Sequence, residues 1–288
     1  MRRYVLLLST AAMVLSLSAY NDNTATMAKA DKASKNIVFI HGMFMNPKSW
    51  DGWIKYYESK GYKCHAPAYP FHDGNPSDLR KIINPGLGTL RFEQVVSSLA
   101  LYMDTLPEKP ILIGHSMGGL VVQKLIEMDK GTAGICIDSA PPQGITSFSW
   151  SFLKANLPTI NPFEGDKPCL PDVAWFQYAF CNTMTMAQTS VEYEKYVVPE
   201  SRNIPRSSTT IEGKIDFKKP HAPLLFISGE KDNIIPAALN VKNYKAYTDK
   251  ASKIDFKKFA GRTHYICGQE NWEEVAAYIS EWIDGLKR

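Results

Sequence analysis

Several things are scarce in this 288-residue chain. An excess of one charge is the first: 33 Lys and Arg face 29 Asp and Glu, a net of +4, and no basic stripe gathers the surplus. That excludes the electrostatic footprint of a nucleic-acid-binding protein. Cysteine is the second. Five residues, with no Cys-x-x-Cys pair and no His-rich tract, exclude a disulfide-dense miniprotein and supply no metal-binding motif. Long apolar runs are the third: one spans residues 4–19 and falls short of the ~20 residues that a membrane-spanning helix needs. What is there is globular in proportion, with 44% hydrophobic and 22% charged residues. The length suffices for one large domain with a sizeable core.

Arg2 and Arg3 precede the apolar run, which is the layout of a secretory signal peptide over residues 1–19. The expectation is export to the periplasm or beyond, with cleavage after Ser18, Ala19 or Ala30. An uncleaved run would instead anchor the chain at its N-terminus. Leu17-Ser18-Ala19-Tyr20 is similar to a lipobox, but Tyr20 stands where a lipidated Cys is required. Residues 20–35 are polar and small and read as a linker. The mature chain is expected to lack a stable membrane span. Cys64 and Cys136 lie in strand-like runs and read as core. Cys169 and Cys181 either pair or stay free thiols.

From residue 36 onward, short apolar runs alternate with stretches of helical periodicity. Strands are expected at 36–40, 62–66, 110–114, 133–138, 222–228 and 254–259. Helices are expected at 49–60, 89–106, 117–128, 236–247 and 272–286, with a Pro-, Gly- and Asn-rich loop over 67–88. This rhythm implies an α/β fold, a doubly wound, mostly parallel sheet with helices on both faces. Residues 36–140 and 221–288 form its core. Residues 141–220 lack the rhythm and read as a cap or lid insertion, because so long a connection usually covers a site.

Gly114-His115-Ser116-Met117-Gly118 is the sharpest motif. It reads G-x-S-x-G and joins a strand to an apolar helix. A nucleophilic serine projecting from so tight a turn needs neighbours without side chains two residues before and after it. Its hydroxyl also needs a base, and the base needs an orienting carboxylate. His264, just past the last strand, is the best placed of the six His. His41, His65, His72, His115 and His221 are the others. Asp232 follows the fifth strand and is the first choice of acid, with Glu230 and Asp138 as alternatives. An oxyanion hole would use the Met117 amide and one from the turn at Gly42, where Met43 is preferred and Phe44 is its neighbour.

Together His41-Gly-Met-Phe44, Gly114-His-Ser-Met-Gly-Gly119, Ser228-Gly-Glu-Lys-Asp-Asn-Ile-Ile-Pro236 and Gly261-Arg-Thr-His-Tyr265 resemble the α/β-hydrolase superfamily. The resemblance implies a Ser116–Asp232–His264 triad, oxyanion amides at Met43 and Met117, and no cofactor. It implies a small-molecule ester or acyl substrate, cleaved through an acyl-enzyme. A cofactor-free haloperoxidase-like or C–C bond hydrolase would use the same residues, and a ligand-binding protein could keep the fold without turnover. Two features depart from the family. Its two leading antiparallel strands have no counterpart, which points to a sheet trimmed at one edge. The aromatics of the insertion (Phe148, Trp150, Phe152, Phe163, Trp175, Phe176, Tyr178 and Phe180) either line an apolar pocket or fill the insertion's own core. Oligomeric state is not legible.

Overall fold

The computed structural model describes residues 34–287. The signal-peptide reading and nearly all of the linker reading lie outside the described residues. Six strands form one sheet: β1 (Asn36–Ile40), β2 (Lys63–His65), β3 (Ile111–His115), β4 (Ala133–Ile137), β5 (Leu224–Gly229) and β6 (Ile254–Phe259). Their spatial order is β2-β1-β3-β4-β5-β6, and every pair is parallel. No antiparallel strand precedes β1 among the described residues.

The helices are α1 (Asp51–Glu58), α2 (Pro76–Lys81), α3 (Phe92–Asp104), α4 (Met117–Glu127), α5 (Trp150–Ile160), α6 (Val173–Ala179), α7 (Met186–Tyr196), α8 (Asn203–Ser208), α9 (Ala237–Ala246) and α10 (Glu273–Gly285). Strand residues alternate between two packed layers, as the two-residue repeat of a strand requires. Ile37, Phe39, Ile111, Ile113, Ile135, Ile137, Leu225 and Ile227 face α1 and α10. Val38, Ile40, Leu112, Cys136, Leu224 and Phe226 face the layer of α3, α4 and α9. Both faces are covered, so these strands read as continuous apolar runs in sequence. Two side-chain bonds fasten the outer helices to their neighbours: Trp53 Nε1 donates to the Cys267 carbonyl (2.8 Å) and Tyr57 Oη to the Ala276 carbonyl (2.9 Å).

The loop expected at 67–88 contains α2. It begins at Asn75-Pro76, a proline at the first helical position where the missing N–H costs nothing. Between β4 and β5 the chain forms α5 to α8. Thr185 and Gln188 close a capping box at the start of α7, and Asp172 caps α6 through the Trp175 amide (2.7 Å). Cys169 and Cys181 are both free thiols and buried. Cys136 is buried and Cys64 only half-buried.

Candidate active site

All strands run in one direction, so the loops after β1, β3, β4, β5 and β6 gather at one edge of the sheet. Ser116 sits between β3 and α4 with φ 57° and ψ −121°, a positive φ outside the regions an L-residue prefers. Such strain costs about 1–3 kcal/mol and persists only where the surroundings impose it. Here they do. The Ser116 amide donates to the Ile137 carbonyl, and its own carbonyl accepts from Gly119 and Ala140, each at 2.9 Å. A Cβ on Gly114 would strike the Gly118 carbonyl, and one on Gly118 would strike the carbonyls of Ile40 and His41. A Cβ on Gly42 would lie 2.7 Å from that of Ser116. Close approach of backbones explains all three glycines.

His264 is fully buried. Its Nδ1 meets Asp232 Oδ2 at 2.7 Å. Asp232 Oδ1 accepts the amides of Ile234 and Ile235, both at 2.8 Å, so the carboxylate is fixed by the turn that leads into α9. His115 Nε2 donates to the His264 carbonyl at 2.8 Å, and the two rings lie 4.6 Å apart. His264 is thereby bolted to the residue that precedes Ser116. His264 Nε2 is buried and without a partner. Catalytic hydrogen bonds often close only when substrate is bound. Burial pushes the His264 imidazole down to about 3 and, with the neighbouring His264 as a second cause, pushes His115 well below 6.5. Both rings are neutral at neutral pH, the state a proton acceptor needs.

Neither alternative acid hydrogen-bonds His264, whose Nδ1 is taken by Asp232. Glu230 is exposed and accepts the Gly261 amide (3.0 Å), away from His264. Asp138 is buried behind Asp232, where it accepts the Gly229 amide at 2.7 Å. His72 pairs with Glu200, and His65 with Tyr102 and Asn36. His221 bonds its neighbour Ala222. His41 Nε2 accepts the Tyr69 amide, which leaves Nδ1–H to donate to the Gly42 carbonyl (2.9 Å) and stiffen that turn.

Met43, Phe44, Ser116 and Met117 border one cavity of about 110 Å³. Phe44 has φ 63°, an unusual value for a bulky residue that the sequence did not betray. Its carbonyl accepts the Val198 amide from the insertion (3.0 Å). The far wall is largely insertion: Phe152, Asn156, Ile160, Phe180 and Pro205, opposed by Ile234 of the core. Of the insertion's aromatics, Phe152 and Phe180 line this cavity. Phe176 is buried, whereas Phe148, Trp150 and Phe163 are exposed.

His115, Asp138 and His264 bring one possible metal-ligand atom each within 4.8 Å of one another. Each side chain already holds a hydrogen bond: His115 to the His264 carbonyl, Asp138 to the Gly229 amide and His264 to Asp232. A cation there would compete with the bonds that orient His264.

A parallel sheet with helices on both faces and a strained serine turn at its carboxyl edge define an α/β-hydrolase architecture. The sequence profile of the alpha/beta hydrolase family matches residues 37–278, and the chain belongs to that family. No curated protein matches it. Among solved structures, an extracellular α/β-hydrolase from a Paenibacillus species aligns with TM-score 0.65 and 20% identity over 85% of this chain and 98% of the other. A monoacylglycerol lipase from Paleococcus ferrophilus aligns with TM-score 0.62 and 20% identity, covering 87% and 94%. A methylesterase from Arabidopsis aligns with TM-score 0.62 and 16% identity, covering 86% and 98%. Among the described residues no helix is long and apolar enough to cross a membrane.

Proposed function

We propose that this protein is a serine hydrolase that cleaves carboxylic esters of compact apolar acids. The observation that carries the reading is the arrangement around His264: Asp232 fixes Nδ1, while the buried Nε2 is left free beside the strained Ser116 turn. In the proposed reaction Ser116 Oγ attacks the acyl carbonyl and His264 Nε2 takes its proton. Asp232 stabilises the imidazolium that forms. The amides of Met117 and of Met43 or Phe44 hold the developing oxyanion, each worth about 3–4 kcal/mol in the transition state. His264 then protonates the leaving group, and a water that it deprotonates releases the acid from Ser116.

The acyl group would occupy the cavity bounded by Phe152, Ile160, Phe180 and Ile234, whose lining is mostly apolar. The insertion would act as a cap over it. Two of the similar structures belong to proteins named as a lipase and a methylesterase, in keeping with ester chemistry. The N-terminal 19 residues support export as the setting.

A fluorophosphonate probe tests this directly. The folded protein should be labelled on Ser116, and Ser116→Ala should abolish both labelling and hydrolysis of p-nitrophenyl esters, a loss of roughly 10⁴-fold or more. Folded wild-type protein that neither reacts with the probe nor turns over any ester would leave a ligand-binding role instead.

A further inference from the structure

The site holds a second buried carboxyl that the proposed reaction does not use. Asp138 lies just past β4, and Asp232 lies just past β5, the strand paired with it. Both side chains are buried, and the two carboxyls lie close enough for each to perturb the other's ionisation. Asp138 Oδ1 accepts the Gly229 amide (2.7 Å) and the Ser228 hydroxyl lies beside the carboxyl, whereas Oδ2 has no hydrogen-bond partner. Asp232 is better supplied, with donors from Ile234, Ile235 and His264. Two carboxylates so close together and out of water cannot both ionise. The proton goes to the partner with fewer donors, and the unpartnered Oδ2 is the oxygen to carry it.

We propose that Asp138 is a positioning residue: as a neutral carboxylic acid it donates a hydrogen bond to the Asp232 carboxylate and keeps that carboxylate ionised and aimed at His264 Nδ1. This rests on the hydrolase reading of Ser116 and His264. The backbone fits the role. Asp138 has φ 42°, which Asp, Asn and Gly tolerate and most residues resist. The other titratable groups around the pair offer it no cation. His115 and His264 are kept neutral by burial, and burial holds the Cys267 thiol protonated. Burial, with the Asp232 charge as the second cause, pushes the Asp138 carboxyl well above the usual carboxylate range.

Asparagine is the uncharged mimic of a protonated aspartate, so Asp138→Asn and Asp232→Asn should behave oppositely. Asp138→Asn is expected to keep kcat within roughly threefold, because a donor still faces Asp232, while Asp232→Asn loses roughly 10⁴-fold. Asp138→Gly accepts the backbone conformation but removes the donor. It should lower kcat roughly tenfold or more at unchanged KM, the worth of one hydrogen bond to a charged group. The acidic limb of its kcat/KM profile should move to higher pH, because a less solvated Asp232 carboxylate favours the imidazolium. Infrared difference spectra at neutral pH supply a readout free of turnover: wild type minus Asp138→Asn should contain the carbonyl band of a protonated carboxylic acid. Absence of that band, a loss in Asp138→Asn as deep as in Asp232→Asn, or a wild-type profile for Asp138→Gly would each overturn the assignment. The band is read whether or not Ser116 reacts with fluorophosphonate, so failure of this proposal is distinguishable from failure of the hydrolase reading.

Discussion

The core rim and the helical insertion meet at one cavity but are built differently. On the rim, Ser116, Asp232 and His264 are each locked by backbone bonds, close-packed glycines or a neighbouring ring. The insertion packs Ala155, Phe176, Phe180, Val197 and Ile204 into the apolar layer of α3 and α4 and adds polar bonds that cross to the core. The Val198 amide reaches the Phe44 carbonyl (3.0 Å), Arg80 Nη1 reaches the Val197 carbonyl (2.7 Å), and Ser201 Oγ reaches the Leu90 carbonyl (2.7 Å). Its outer surface leaves Phe148, Trp150 and Phe163 at 83%, 77% and 95% exposed, whereas Met43, Phe44, Met117 and Ile235 beside Ser116 and Asp232 are buried. Packing of the first kind fixes reacting groups to fractions of an ångström, as bond-making chemistry requires. Packing of the second kind can vary in shape without disturbing that geometry. Under the proposed hydrolase reading, the contrast would give reaction to the core and acyl preference to the insertion.

The largest effect that would break this division is catalytic. Asp232→Asn should lower kcat by roughly 10⁴-fold with fluorophosphonate access to the cavity retained, since the side chain aligns His264 and does not wall the pocket. A loss confined to KM would move Asp232 from chemistry to binding. A second contrast lies in the backbone. Gly118→Ala forces a methyl onto the carbonyls of Ile40 and His41 and should cost about 3 kcal/mol in urea unfolding. Gly144, in the insertion, faces open space with φ 88°, so Gly144→Ala meets only backbone strain of about 1–2 kcal/mol. Equal losses would erase the distinction between a close-packed rim and a looser insertion.

That same distinction decides what the sequence discloses. Five strands of the core are runs of Ile, Val, Leu and Phe with two covered faces or end at a motif turn, so periodicity finds them. Gly114, Ser116 and Gly118 announce their turn because only those residue types fit it. The insertion and the 67–88 loop have no such constraint. Asn75-Pro76 before α2 and the Thr185…Gln188 box before α7 were legible start signals, but too short to outweigh a composition of loops. Phe44 carries no mark of its left-handed backbone, because it is the Val198 bond and the surrounding cavity wall that hold it there. The pairing of Asp138 with Asp232 depends on which strands become neighbours, and sequence spacing is silent about that.

A smaller change sharpens the assignment of acyl preference. Phe152 stands on α5 with its ring in the cavity wall. Phe152→Ala should lengthen the preferred acyl chain and alter the ratio of kcat/KM between short and long p-nitrophenyl esters about tenfold, because one apolar contact distinguishes substrates by roughly 1–3 kcal/mol. The rate of fluorophosphonate labelling at Ser116 should stay close to wild type. A fall in labelling to match the fall in turnover would show that the insertion shapes the reacting groups as well.

The smallest expected effect concerns the seam itself. His72 Nε2 and Glu200 Oε2 meet at 3.1 Å with both side chains buried, one from the core loop and one from the end of the insertion. Burial alone lowers the imidazole's pKa, but the Glu200 charge and hydrogen bond, with the Pro70 carbonyl, outweigh it and leave His72 above its ordinary 6.5. Because the folded value exceeds the unfolded one, the pair's stabilisation is complete below 6.5 and is lost as pH rises through the folded value. His72→Gln keeps a donor toward Glu200 but cannot carry a charge. Its deficit in unfolding free energy should be largest in mild acid, about 2 kcal/mol, and should narrow as the solution is made alkaline. A deficit that stays constant across that range would mean the imidazole is uncharged when folded.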